Sequence, residues 1–149
     1  MLDPNIAFGF ANNFGLVAWL ALLASLFVPR LRSWVWPATQ FVIPAVWAAA
    51  YVLLLVQGMP ETDGSFSSIE GVRSLFGSDS ALTAGWLHYL AFDLFVGTWI
   101  ARDSTERRIH GLLVVPCLAL TLVFGPSGLL LYLLMRLAFG RRDPTETAS

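Results

Sequence analysis

The chain has 149 residues, of which 56% are apolar and 13% are charged, and its formal net charge is −1. This composition is typical of an integral membrane protein rather than a soluble domain, and the charge gives no reason to expect a nucleic-acid partner. All nine basic residues are Arg, which excludes the Lys Schiff base of retinal and pyridoxal phosphate proteins. Cys117 is the single cysteine, which excludes an intrachain disulfide and a cysteine-based metal cluster. We predict neither a cofactor nor a metal.

Two apolar segments open the chain. The first covers residues 9–28 and ends at Pro29. No basic region precedes it, so we expect a retained span rather than a cleaved signal. The second covers residues 38–57, and Pro44 is expected to kink it. One face of the first segment consists mostly of small residues, which predicts close packing against another helix. That face comprises Ala11, Gly15, Ala18, Leu22 and Ser25.

Three further stretches complete the pattern. In the polar residues 58–80, apolar side chains recur at helical spacing, which predicts either a short amphipathic surface helix or a plain solvated loop. Residues 81–101 are long enough for a third span. The last apolar stretch, residues 111–139, is broken at Gly125-Pro126-Ser127-Gly128. It is predicted to be a kinked span, with a re-entrant pair as the second choice.

The predicted fold is therefore an all-α integral membrane bundle of four transmembrane helices, the last one kinked or re-entrant. Residues 1–143 are expected to form a single domain, and residues 144–149 a disordered tail. The loops after the first and third spans carry five Arg and residues 58–80 carry one, so the positive-inside rule places the N-terminus outside. Four simple spans would put Arg141 and Arg142 outside, against that rule, whereas a re-entrant last segment would not.

Polar side chains in the third span predict a functional site. A charged residue at membrane depth costs at least ~2.5 kcal/mol, so Asp93 is expected to face the bundle interior. Trp86, Asp93 and Gly97 share one helical face, and Gly97 would leave room for a ligand or a neighbouring backbone. His88 could flank the same cavity from another side as a base or second donor. Alternatively, Asp93 is a neutral structural group that forms hydrogen bonds between helices.

Other charged residues allow several interpretations. Asp103, among arginines at the membrane edge, is by residue type a surface charge. Arg136 could extend to the interface or pair with a carboxylate, and Asp93 is the partner of most interest. His88, Asp93, Asp103 and His110 are metal-ligand types. However, Asp93 and Asp103 would lie ~15 Å apart along one helix, which disfavours a metal site.

Taken together, these segments resemble the abscisic-acid-deficient-four-like membrane protein family. The matching segments are Ala84-Gly85-Trp86-Leu87-His88, Asp93-Leu94-Phe95, Asp103, and Gly125-Pro126-Ser127-Gly128 with Arg136. Plant members of that family are required in plastid membranes to make neoxanthin from violaxanthin. The resemblance implies an isomerase that opens a 5,6-epoxide to an allene with a hydroxyl, without a redox cofactor. It implies catalytic roles for Asp93, His88 and Asp103.

We therefore predict a carotenoid- or isoprenoid-binding membrane protein, in the first instance an isomerase. The absence of a transit peptide favours a bacterial inner (plasma) membrane. The expected partners are membrane lipid and a hydrophobic polyene, and a homo-oligomer is left open. The alternatives are a non-catalytic scaffold or pigment-complex subunit, and a small proton-coupled transporter. The residues predicted to bind substrate are Trp86, Phe92, Phe95, Gly97, Trp99 and Arg136.

Overall fold

The computed structural model describes residues 1–61 and 63–139, with only the backbone of Glu61, and every regular element in these residues is helical. The predicted tail at 144–149, together with Arg141 and Arg142, lies outside the described residues. The α-helices are α1 (Pro4–Phe27), α2 (Arg32–Pro37), α3 (Ile43–Gly58), α4 (Ile69–Leu75), α5 (Asp79–Glu106), α6 (Gly111–Phe124) and α7 (Pro126–Phe139).

Helix α1 begins earlier than predicted because the sequence supplies a cap. The Asp3 carboxylate accepts hydrogen bonds from the backbone N–H groups of Asn5 at 2.9 Å and Ile6 at 3.1 Å, and Pro4 occupies the first turn. The helix ends at Phe27, shortly before Pro29. The predicted small-residue face is confirmed, since all five of its residues are buried. It packs mainly against α5.

The second apolar segment is a continuous helical run of 30 residues from Pro29 to Gly58. It opens with a 3₁₀ turn and passes through α2 and a π turn at Ala38–Val42 before α3. The π turn lies directly before Pro44, whose missing N–H interrupts the helical hydrogen bonds. The irregularity places Thr39 inside the bundle, where it accepts a hydrogen bond of 2.8 Å from the Thr98 hydroxyl. The proline predicted to kink this segment is therefore accompanied by a π turn that joins it to α5.

A short helix interrupts the polar stretch between α3 and α5. The Ser68 side chain caps α4 by accepting a hydrogen bond from the Gly71 N–H at 3.0 Å. Leu75 is buried, whereas Ile69 is 74% exposed. The helical alternative predicted for this stretch is therefore present over seven residues, with only part of its apolar side chains covered.

Helices α6 and α7 form a hairpin rather than one kinked rod. Gly125 makes the turn with a φ of +44°, in the region that favours glycine. The turn lies against Asp93 in the middle of α5, while Arg136 of α7 lies 3.2 Å from the Asp103 carboxylate near the end of α5. Each arm has 14 residues and is therefore about 21 Å long. Both the start of α6 and the end of α7 thus lie at the end of the molecule where α5 terminates.

Two described helical segments, Pro4–Phe27 and Pro29–Gly58, are long and apolar enough to cross a membrane. Only 28% and 22% of their most apolar stretches are buried inside the protein. Large apolar side chains instead face outward, including Phe10 at 65% and Leu53 at 63% exposure. Because many large apolar side chains lie on the outside of these two segments, this surface is suited to lipid.

The contact between α1 and α5 generates a stability prediction. Gly97 lies against the ring of Trp19, and a β-carbon at Gly97 would overlap that buried ring. We expect Gly97→Ala to lower the free energy of unfolding by about 1–3 kcal/mol, because a well-packed core resists an added methyl group. Thermal unfolding in detergent, followed by tryptophan fluorescence, measures the change.

Gly9→Ala is the matched control, because nothing lies within 4 Å of the position its β-carbon would occupy. We expect it to leave the melting temperature unchanged or raise it slightly, since Ala favours the helix over Gly by up to about 1 kcal/mol. Equal melting temperatures for the two variants would contradict the proposed packing of Trp19.

Candidate functional site

Asp93 lies midway along α5 and faces the turn of the hairpin. A β-carbon at Gly125 would be 2.9 Å from Asp93 Oδ1 and 3.2 Å from Oδ2. Glycine is therefore required at position 125 for two reasons: its φ is positive, and the Asp93 carboxyl group approaches closely. The hairpin turn and the carboxyl group form a small polar region among apolar helices.

The Asp93 carboxyl group is not fully satisfied. Its Oδ2 atom is buried and has no hydrogen-bond partner. Tyr89 lies one turn earlier on the same face and interacts with the carboxyl group. However, its hydroxyl donates to the Leu122 carbonyl at 3.3 Å rather than to Oδ2. Because buried polar atoms are nearly always paired, this oxygen atom is a candidate for proton transfer or for a hydrogen bond to a ligand.

His88 lies on the other side of α5. Its ring stacks on Phe92 at a centroid distance of 4.6 Å and approaches Tyr51 of α3 at 5.7 Å. Phe92 is 60% exposed, Phe95 is 40% exposed, and His88 is also exposed. The offset of five residues turns His88 about 140° from Asp93. The structure therefore does not bring His88, Phe92 or Phe95 to the Asp93 carboxyl group.

Trp86 and Gly97, predicted to share the Asp93 face, have different surroundings. The Trp86 indole donates to Asn12 Oδ1 of α1 at 2.8 Å, and its ring lies 5.3 Å from that of Tyr89. Trp86 is therefore connected to Asp93 through Tyr89. The space beside Gly97 is filled by Trp19, which leaves no room for a ligand there.

The remaining predicted residues meet around Asp103. Its Oδ2 accepts hydrogen bonds from Arg107 Nε at 2.8 Å and from the Tyr132 hydroxyl, and Arg136 Nε lies 3.2 Å away. Trp99 meets Tyr132 edge to face at 5.6 Å, with the Arg136 guanidinium 5.6 Å from its ring centre. Arg136 thus pairs with Asp103, not with Asp93. This arrangement is that of an anchor that fastens α7 to α5.

Sequence reasoning missed two residues. Tyr89 carries a detectable signal, because it lies four residues before Asp93 and hence on the same helical face. Tyr132 lies four residues before Arg136 and shares its partner, but only the folded hairpin brings it to Asp103. Within the described residues, no group of three or more His, Cys, Asp or Glu side chains is placed to hold a metal.

The Asp103 anchor gives a second stability prediction. Asp103→Asn leaves two Arg side chains without their carboxylate, and the Asp103 side chain is only 13% exposed. We expect the free energy of unfolding to fall by about 2 kcal/mol, the range for hydrogen bonds to a charged group. Glu70→Gln is the control, because Glu70 and Arg73 are 80% and 73% exposed and 3.7 Å apart, and such pairs contribute little. Thermal unfolding that ranks the two variants equally would rule out the anchor.

A family match covers the site just described. No characterised protein and no solved structure matches the chain significantly. The model of the family described as ABA DEFICIENT 4-like matches residues 6–132. This range begins in the first turn of α1, includes Asp93, Asp103 and the turn at Gly125, and ends at Tyr132 within α7. The chain therefore belongs to the ABA DEFICIENT 4-like family.

Proposed function

We propose that this protein is an integral membrane protein that isomerises a carotenoid or a related isoprenoid, with Asp93 as its proton-transferring group. Three helical segments, α1, Pro29–Gly58 and α5, would cross the bilayer. The hairpin of α6 and α7 would enter and leave on one side, because arms of about 21 Å are too short for a hydrocarbon core of about 30 Å. This takes up the re-entrant alternative predicted for the last segment and gives three spans with a re-entrant hairpin.

The distribution of arginines supports this placement. Arg32 and Arg102 approach the ring of Trp36 from 5.4 and 5.9 Å, and Arg107 and Arg136 share Asp103. The positive-inside rule would put this end in the cytoplasm and the N-terminus outside. The C-terminal end of α7 would then also be cytoplasmic, which removes the conflict that four spans create. A bacterial inner membrane fits this orientation.

Reporter fusions test the topology. A green fluorescent protein fused after the last residue of the full chain should fluoresce, because that reporter folds in the cytoplasm. The same reporter inserted at Ser67, between α3 and α5, should not. Alkaline phosphatase at the two positions should give the opposite pattern. An active phosphatase at the C-terminus would instead support four simple spans.

The family resemblance supplies the chemistry. Opening a 5,6-epoxide to an allene requires an acid on the epoxide oxygen and a base for a vinylic proton. One C–O and one C–H bond break, a hydroxyl and an allene form, and the net change is an isomerisation. The two oxygens of the Asp93 carboxyl group would serve both steps, one donating and the other accepting a proton. His88 is excluded from this role in our proposal because it faces the other side of α5.

The observation that carries the proposal is the buried, unpaired Oδ2 atom of Asp93. Asp93→Asn keeps the shape of the side chain but removes the transferable proton. We expect product formation to fall by about 10² to 10⁴-fold, the usual contribution of general acid–base catalysis, with little loss of folded protein. The measurement is chromatography of carotenoids extracted from a producing bacterial host and, for the purified protein, conversion of an epoxycarotenoid in liposomes.

His88→Gln is the matched control, since it changes a polar residue five positions away on the opposite face. It should convert substrate at the wild-type rate. Product formation by folded Asp93→Asn at the wild-type rate would contradict the role of Asp93, and loss of product in His88→Gln would restore His88 as a catalytic candidate.

The scaffold and transporter alternatives receive less support. A scaffold needs a free surface for a partner subunit, but the small-residue face of α1, which suits close packing, is buried within the chain. A proton-coupled transporter needs polar groups on both sides of Asp93. Between Asp93 and the C-terminal end of α5, the same helical face carries Gly97, which Trp19 covers, and the buried Ile100. Among the described residues, this side of Asp93 therefore lacks the polar groups that a transporter needs.

A further inference from the structure

An open groove lies beyond the tip of the hairpin, at the opposite end of α5 from Arg102 and Arg107. Its volume is about 340 Å³, within the size range of small-molecule sites. The beginning of α1 forms one wall and the first two turns of α5 form the other. It is lined by Asn5, Phe8, Asp79, Leu82, Thr83 and Trp86.

A row of aromatic rings connects this groove to Asp93. The rings of Phe8 and Trp86 lie 5.6 Å apart, and the rings of Trp86 and Tyr89 lie 5.3 Å apart. Tyr89 is adjacent to Asp93 on the same helical face and contacts the hairpin at Leu122. The Asn12 amide oxygen fixes the orientation of the Trp86 indole. The row therefore leads from the groove to the carboxyl oxygen that has no partner.

The outer end of this path is polar, and its middle is apolar. The outer end carries the amide of Asn5 and the carboxylate of Asp79, both exposed, whereas Leu82 and the rings line the way inward. A carboxylate accepts hydrogen bonds and an amide both donates and accepts them, so this end suits a hydroxyl group. Asp79 and Asp93 are fourteen residues apart, which corresponds to about 21 Å along α5.

We propose that this groove binds the hydroxylated end of an elongated isoprenoid, whose chain then runs over Trp86 and Tyr89 to Asp93. The identity of the ligand rests on the proposed function, whereas its position rests on the groove and the aromatic row. The volume accommodates one end group rather than the whole molecule, so the remainder lies along the lipid-facing surface. Flat aromatic faces suit a conjugated chain, and Asp79 with Asn5 selects for a hydroxyl group.

Blocking the groove tests its position. Leu82→Trp fills the groove from a side chain that is 51% exposed, so the core is left intact. Leu53→Trp on α3 is the matched control, at 63% exposure and outside the residues that line the groove. The full-length variants are purified from hosts that accumulate β-carotene or its dihydroxy derivative zeaxanthin, and bound pigment per protein is measured by absorbance. Conversion of an epoxycarotenoid is measured in parallel.

We expect Leu82→Trp to reduce bound zeaxanthin about tenfold while Leu53→Trp binds as the wild type does. We also expect the wild type to retain about tenfold more zeaxanthin than β-carotene, because one hydrogen bond to a charged group contributes about that much binding. Asp79→Ala should remove this preference. Wild-type pigment binding by Leu82→Trp would show that the groove is not the binding site, while leaving the proposed function intact. A wild type that neither binds pigment nor converts substrate would overturn both.

Discussion

The attachment of α7 to α5 through Asp103 is the interaction on which the rest of the arrangement depends. One carboxylate oxygen contacts Arg107, which directly follows α5, and both Tyr132 and Arg136 of α7. The arm packs on α6 at Gly128, but most of its apolar side chains face outward, so Asp103 supplies its polar attachment to α5. With it, the turn at Gly125 is brought to the level of Asp93. The position of the candidate site is thus set about 15 Å away from it along α5.

The long second helical segment holds α5 in place from the other side. Its π turn brings Thr39 and Gln40 into the bundle, where they bind Thr98 at 2.8 Å and Arg102 at 2.5 Å. At the opposite end, the Gln57 amide contacts the backbone of Leu2 at 3.0 Å and the Ser80 hydroxyl at 3.2 Å. These contacts lie at both ends of α5, so its central turns need no polar contact with α3. Asp93 can therefore remain on the hairpin side with one oxygen unpaired.

Much of this organisation follows from residue spacing, and the rest depends on contacts between distant residues. The small face of α1 and the central position of Asp93 are periodic features, which a sequence displays directly. Gly125-Pro126 indicates a break in the helix. Whether the chain continues in the same direction or folds back depends on the contacts of Asp103 with side chains of α7, which the sequence does not display. Gly97 indicates a close approach without naming Trp19 as the neighbour. The offset between His88 and Asp93 indicated different faces, and the structure shows that α3 borders one and the hairpin the other.

The hairpin also explains why an apolar bundle can offer polar chemistry at its centre. A helix that crosses a bilayer satisfies its backbone internally, whereas two half-helices that meet at mid-depth bring terminal carbonyl and N–H groups to that depth. Tyr89 satisfies one of these groups at the Leu122 carbonyl. The unpaired oxygen of Asp93 lies beside the same turn. Because α5 extends about 21 Å beyond this point and the hairpin does not, the polar turn adjoins a strip of α5 that no returning helix covers. In the proposed function, an elongated apolar molecule would reach the carboxyl group along this strip without entering water.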